Sequence, residues 1–218
     1  MNYLQRRIKN LKILGYLLQL APFVRAVILT GSMTTGSAGK ASDIDFLIIT
    51  ASKRLYTTRL FVTIMALLTG KRRQPADKNP AGKFCLNYYL TSDNLDIKPH
   101  TRCCANFHRY IIPIWDIRGV YGEILRRNFW LKRHKVAIKN KQSVALLKSN
   151  FPIKRLAVFF SIQKIKELIF AGRFGDFVEQ KLFNWQKKKI ISSRIYKNNK
   201  ATIIISGDEL RLHPKKIR

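Results

Sequence analysis

The sequence predicts an α+β fold, with a mixed helix-and-strand unit over residues 1–100 followed by a basic, mainly helical unit over residues 101–218. Short apolar runs rich in β-branched and aromatic residues occur at 24–30, 46–50 and 84–90. Segments of helical periodicity lie around and between them, and beyond about residue 100 the texture changes to long basic-apolar stretches. With 46% hydrophobic residues in 218, the chain has enough apolar side chains to bury a core.

Taken in order, Leu4, Ile8, Leu11, Leu14 and Leu18 repeat at helical spacing, with Arg6, Arg7, Lys9 and Lys12 between them. This is an amphipathic opening helix, ended by Pro22. Residues 24–30 form a buried strand closed by Gly31, and a glycine-serine loop follows. A second strand, 46–50, is reached through Asp43-Ile44-Asp45. Residues 54–68 return to the helical period, and 71–82 form a loop with two prolines. The aromatic run 84–90 alternates as a third strand. Further helices are expected at 104–117, 120–134, 155–171 and 176–197, with a late strand at 202–206. Two aromatic sets at helical spacing, one from Phe107 to Trp115 and one from Phe177 to Ile191, are expected to pack the core.

Charge is the dominant compositional feature. Forty-two Lys and Arg against 12 Asp and Glu give a net charge of +30. Such a field attracts polyanions and disfavours a polycationic substrate. Residues 124–166 contain twelve basic residues and no acid, unlike a solvated helix face, which mixes signs. Three cysteines, two of them adjacent as Cys103-Cys104, form neither a disulfide framework nor a zinc pattern, which suits a reducing, cytoplasmic compartment. The basic-then-apolar start superficially resembles a secretory leader, but Gln19 and Pro22 interrupt it. No transmembrane segment is expected. The four histidines are scattered without ligand spacing.

The chemistry concentrates in residues 29–46. Asp43 and Asp45 stand two apart at a strand start, so their side chains leave the same face about 7 Å apart at the backbone. Such a pair suits magnesium, which takes a few carboxylates and completes its shell with water and phosphate oxygens. Upstream, Gly31 allows close approach of a phosphate to the backbone, and Ser32 adds a hydroxyl and an amide donor. Neither Gly31-Gly36 nor Gly39-Lys40 has the spacing of a Walker loop. Taken alone, the two aspartates are better explained as turn or cap acids at a strand entry. Their spacing from Gly31-Ser32 is what favours a metal site.

This segment resembles the nucleotidyltransferase superfamily typified by DNA polymerase beta: a hydrophobic strand, Gly-Ser, a spacer of ten residues, then Asp-hydrophobic-Asp on the next strand. The resemblance covers about residues 1–100 and implies a nucleotidyltransferase-like mixed sheet with flanking helices. It implies that Gly31 and Ser32 hold the triphosphate of a bound nucleoside triphosphate such as ATP, and that Asp43 and Asp45 bind one or two Mg2+ ions as the catalytic carboxylates. The expected reaction transfers a nucleoside monophosphate to a nucleic acid or another anionic acceptor. The family often adds a third carboxylate from a later strand, where this chain offers Asn87, with Asp93 and Asp96 just beyond. Asparagine cannot serve as the base for an acceptor hydroxyl. The alternative is therefore a catalytically silent fold that binds nucleic acid. Oligomeric state is not legible.

Overall fold

The computed structural model describes residues 2–74, 77, 79–117, 119–193, 196–197 and 203–212. Among these, six strands form one mixed sheet flanked by helices, in the order β4-β1-β2-β3-β6-β5. The α+β expectation therefore holds.

Helix α1 (Tyr3–Leu18) starts with a capping box: the Asn2 side chain accepts from the Leu4 amide, and the Gln5 side chain accepts from the Asn2 amide. Its apolar stripe, with Leu11, Leu14 and Leu18 fully buried, faces the sheet. Gln19, the residue that interrupts the early apolar run, is buried and bonds the backbone of Lys154 and Leu156 at 3.0 Å each, tying the first helix to the second half of the chain.

Strands β1 (Val24–Thr30) and β2 (Ile44–Thr50) pair antiparallel, and β2 runs parallel to β3 (Phe84–Thr91). Both β1 and β2 are almost continuously apolar because each is covered on both faces. One face packs α1 and α2 (Leu55–Leu68), the other α3 (Arg102–His108) and α4 (Val120–Arg127). Opposite Asp45 and Leu47, β3 carries one extra residue: Asp45 pairs with Cys85, but Leu47 pairs with Tyr88. This bulge falls on Leu86 and Asn87.

The helix expected at 104–117 is two elements, α3 and the edge strand β4 (Ile112–Asp116). Pro113 explains the correction: it disfavours the helical region for Ile112 and fits an edge strand, where β4 lies. The helix expected at 120–134 stops at Arg127 and continues as a 3-10 turn over Phe129–Arg133. Helix α5 (Lys141–Asn150) and strand β6 (Glu209–Arg211) are additions to the expected set. The late strand is β5 (Ile204–Ile205), and Thr202 lies outside the described residues. The sheet thus draws strands from both sides of residue 100.

Helices α6 (Ala157–Ile169) and α7 (Gly172–Ile191) are fastened by polar bonds rather than a deep apolar seam. Glu179 accepts from the Tyr56 and Thr57 amides at 2.7 and 2.8 Å, capping α2, whose own N-cap residue Arg54 has no capping side chain. Arg54 pairs with Asp176 at 2.6 Å, and Arg25 with Glu167 at 2.7 Å. Of the set expected to pack the core from Phe177 to Ile191, Leu182 does so, whereas Phe177 and Trp185 are more than half exposed. Among the described residues, no helix is long and apolar enough to cross a membrane.

Candidate active site

β2 places Asp43 just before its first residue and Asp45 within it, between two neighbouring strands. Thr30 of β1 pairs with Asp45 on one side and Cys85 of β3 on the other. Ligand atoms of Asp43, Asp45 and Cys85 all lie within 4.8 Å of one another. The two expected carboxylates therefore converge, and the third position in register is Cys85.

Asn87 sits two residues further on, in the bulge, with its carbonyl accepting from the Leu212 amide at 2.8 Å. Asp93 bonds Ser52, and Asp96 pairs with Lys98 and His100; all lie beyond the far end of β3. None of these acids completes the cluster. The sequence reading passed over Cys85 because its pairing depends on strand register. Of the histidines, His100 stacks on Trp130 and His108 lies against Tyr88, while His213 lies outside the described residues.

Gly31 opens a one-turn 3-10 helix, Gly31–Met33, directly after β1. Its φ is +72°, and a Cβ there would lie 2.6 Å from Asp45 Oδ2. Only glycine gives both this backbone and this approach to the carboxylate. The turn is closed by Thr34 Oγ1 donating to the Gly31 carbonyl at 3.0 Å, while the Ser32 carbonyl accepts from the Ser37 and Ala38 amides. Gly36, with φ +69°, lies against the backbone of Asn140, and the Lys139 amide donates to the Thr35 carbonyl at 2.8 Å. The loop is thus held from the second half of the chain.

From below, the buried Arg7 of α1 donates to the carbonyls of Gly39, Lys40 and Ser42 at 3.0, 3.1 and 2.6 Å. Arg7 pins the segment that delivers Asp43. Burial lowers its guanidinium from the ordinary value, with Tyr3 and Asp43 acting in the opposite sense.

Arg73 is the cation of the cluster. Backbone bonds from Phe84 to Lys71 at 2.7 Å and from Arg73 to Phe84 at 2.9 Å lay residues 71–73 alongside β3. The Arg73 guanidinium then pairs with Asp43 and reaches Cys85 Sγ at 3.6 Å. Burial first, then the charges of Asp45 and Asp43, push the Cys85 thiol far up, so it stays protonated. Two carboxylates are hard oxygen donors that suit magnesium, and the neutral thiol adds no ligand for so hard an ion.

Residues 11–117 match the family model described as nucleotidyltransferase domain. This segment is a nucleotidyltransferase domain. The matched segment begins within α1 and ends just after β4, so it contains both aspartates, the glycine-serine turn and four strands of the sheet. No curated protein and no solved structure matches the chain. A domain of this kind supports nucleotidyl transfer in general and, with it, a nucleoside triphosphate substrate.

Proposed function

We propose that the protein is a magnesium-dependent nucleotidyltransferase that moves a nucleoside monophosphate from a nucleoside triphosphate to an anionic acceptor, with nucleic acid the class its charge favours. The observation that carries this reading is the convergence of Asp43 and Asp45 beside Gly31 in a domain of this family. Asp43 and Asp45 would hold one or two Mg2+ ions, and the Gly31-Ser32 turn would receive the triphosphate. When bound, magnesium would neutralise the phosphates and lower the pKa of an acceptor hydroxyl.

The chain's own residues do the rest. Gly31 leaves room between turn and carboxylate, Ser32 offers donors to phosphate, and Arg73 adds a guanidinium beside the phosphate path. The acceptor oxygen attacks the α-phosphorus, the bond to the β-phosphate oxygen breaks, and pyrophosphate leaves. Burial raises the Cys85 thiol and so disfavours it as the acceptor of that proton. Within the cluster that leaves the two carboxylates.

A second reading has its own support: with Cys85 in register and Arg73 already paired to Asp43, the fold could bind nucleic acid without turnover. Purified protein incubated with magnesium and each labelled nucleoside triphosphate, with and without total RNA, separates the two. Label transfer with pyrophosphate release, abolished in both Asp43→Asn and Asp45→Asn, is the expected result. Activity unchanged in both variants would refute the site, and salt-sensitive RNA binding without turnover would establish the silent module.

A further inference from the structure

A second feature touches the acid cluster from the opposite side to the glycine-serine turn. Between α2, α7 and the start of β3 lies a cavity of about 500 Å³, within the usual range for ligand sites. Cys85 and Arg73 belong both to its lining and to the acid cluster. Its walls are largely apolar, with Ile64 and Leu67 from α2 and Trp185 and Ile190 from α7.

Into this apolar space the fold directs Arg59, Arg72 and Lys189. The salt bridges formed among the described residues leave out these three cations. Arg59 Nε is buried with no hydrogen-bond partner, while Nη1 of the same guanidinium donates to the Gln186 side chain. Burial lowers the Arg59 pKa, Tyr89 acts against this, and the nearby Arg72 lowers it further, which is the cost of crowding cations around a partly buried guanidinium. An anion relieves that cost. Guanidinium pairs favour phosphate because the planar fork matches its oxygens. Trp185, 54% exposed with Lys189 Nζ 5.5 Å from its ring centre, offers a surface on which a base can stack.

We infer that this cavity receives a phosphate-bearing group of nucleotide size, its phosphate on Arg59 and Arg72 and its ring toward Trp185, and that it is the acceptor side of the centre. The acceptor assignment rests on the transferase reading; the binding does not. Asp45 has β1 and the turn at Gly31 on one side and β3 with the cavity on the other, the disposition that a two-substrate transfer requires.

The test is calorimetric binding without divalent metal, using adenosine 5′-monophosphate, a 5′-phosphorylated oligoribonucleotide and the same strand lacking that phosphate. Arg59→Gln and Arg72→Gln are expected to weaken binding of a phosphorylated probe roughly tenfold each. Ile64→Trp, at a position already 40% exposed, fills the cavity without changing charge and abolishes binding. Binding of the free nucleotide or of the strand alone tells which source supplies the group. Equal binding of strands with and without the phosphate, binding of neither phosphorylated probe, or parental affinity in Arg72→Gln and Ile64→Trp would overturn the site. Arg72→Gln and Ile64→Trp keep the test decisive where Arg59→Gln fails to fold. Binding without transfer would remove the transferase reading alone, while transfer that persists in Ile64→Trp would overturn the acceptor assignment.

Discussion

Gly31 shows how narrowly one position is specified. Its φ of +72° is costly for any residue with a Cβ, and that Cβ would stand 2.6 Å from Asp45 Oδ2. Gly31→Ala is expected to lose about 1–2 kcal/mol of stability in chemical denaturation from backbone strain alone. Transfer activity should fall by far more than that loss of stability explains, because Asp45 must move. A variant that keeps full activity would separate Gly31 from the site. A second residue, Cys104, is buried in α3, and burial pushes its thiol from 9.0 up to about 12. The unfolded chain therefore releases this proton first, so stability falls with rising pH between about 9 and 12. Denaturation at points across that range should show a shallower decline in Cys104→Ala than in the parent. Equal slopes would mean that the thiol is not held in its neutral form. At this scale the sequence made Gly31, Ser32, Asp43 and Asp45 legible, since spacing along the chain is the signal for a turn and a strand start. Cys85 was hidden, because which residue of the third strand meets Asp45 depends on register and on a bulge that no local pattern announces.

At the scale of elements, α1 positions the site through one side chain. Arg7 reaches three carbonyls across residues 39–42, so the approach to Asp43 is braced by a helix far earlier in the chain. Arg7→Met preserves helix propensity and much of the buried volume while removing those bonds. It is expected to cost roughly 1–3 kcal/mol and to speed hydrogen exchange at the Ser37 and Ala38 amides, which close the turn onto Ser32. If exchange there is unchanged, the turn holds itself and Arg7 serves only the core. The elements were read well where the period is long and uninterrupted, as in α1 and α2, and where strands are continuous apolar runs, as in β1 and β2. They were misread where short elements adjoin: α3 and β4 merge into one helical pattern unless Pro113 is weighed. Helix α7 was read as core from its aromatic spacing, yet Phe177 and Trp185 stay exposed, and its hold on α2 combines Glu179 and Gln186 with Phe183 packed edge-on against Tyr56.

For the whole molecule, the charge of +30 becomes specific once the fold shows where it lies. Four of the twelve acids are committed to internal tasks: Glu167, Asp176 and Glu179 dock the last two long helices, and Asp116 bonds the Tyr121 amide at the start of α4. The acid-free stretch is left to face solvent, with Lys132, Arg133, Lys135, Lys139, Lys141 and Lys148 all exposed. Part of it is adjacent to the candidate site, because Asn140, between Lys139 and Lys141, lies against Gly36 of the glycine-serine loop. A nucleic-acid backbone tracking this strip would be led toward Asp43 and Asp45. The strip's part in binding can be read from salt dependence, since each single-strand phosphate contact contributes about 0.7 to the slope of log affinity against log salt. Replacing Lys135, Lys139 and Lys141 together by Gln should make that slope shallower by about 2, measured with a labelled oligoribonucleotide between about 50 and 200 mM salt. Stability should hardly change, because these side chains are exposed and form no ion pairs among the described residues. An unaltered slope in a folded triple variant would move the nucleic acid to another face, and would also remove the reason to regard the twelve-cation stretch as a guide to the acid pair.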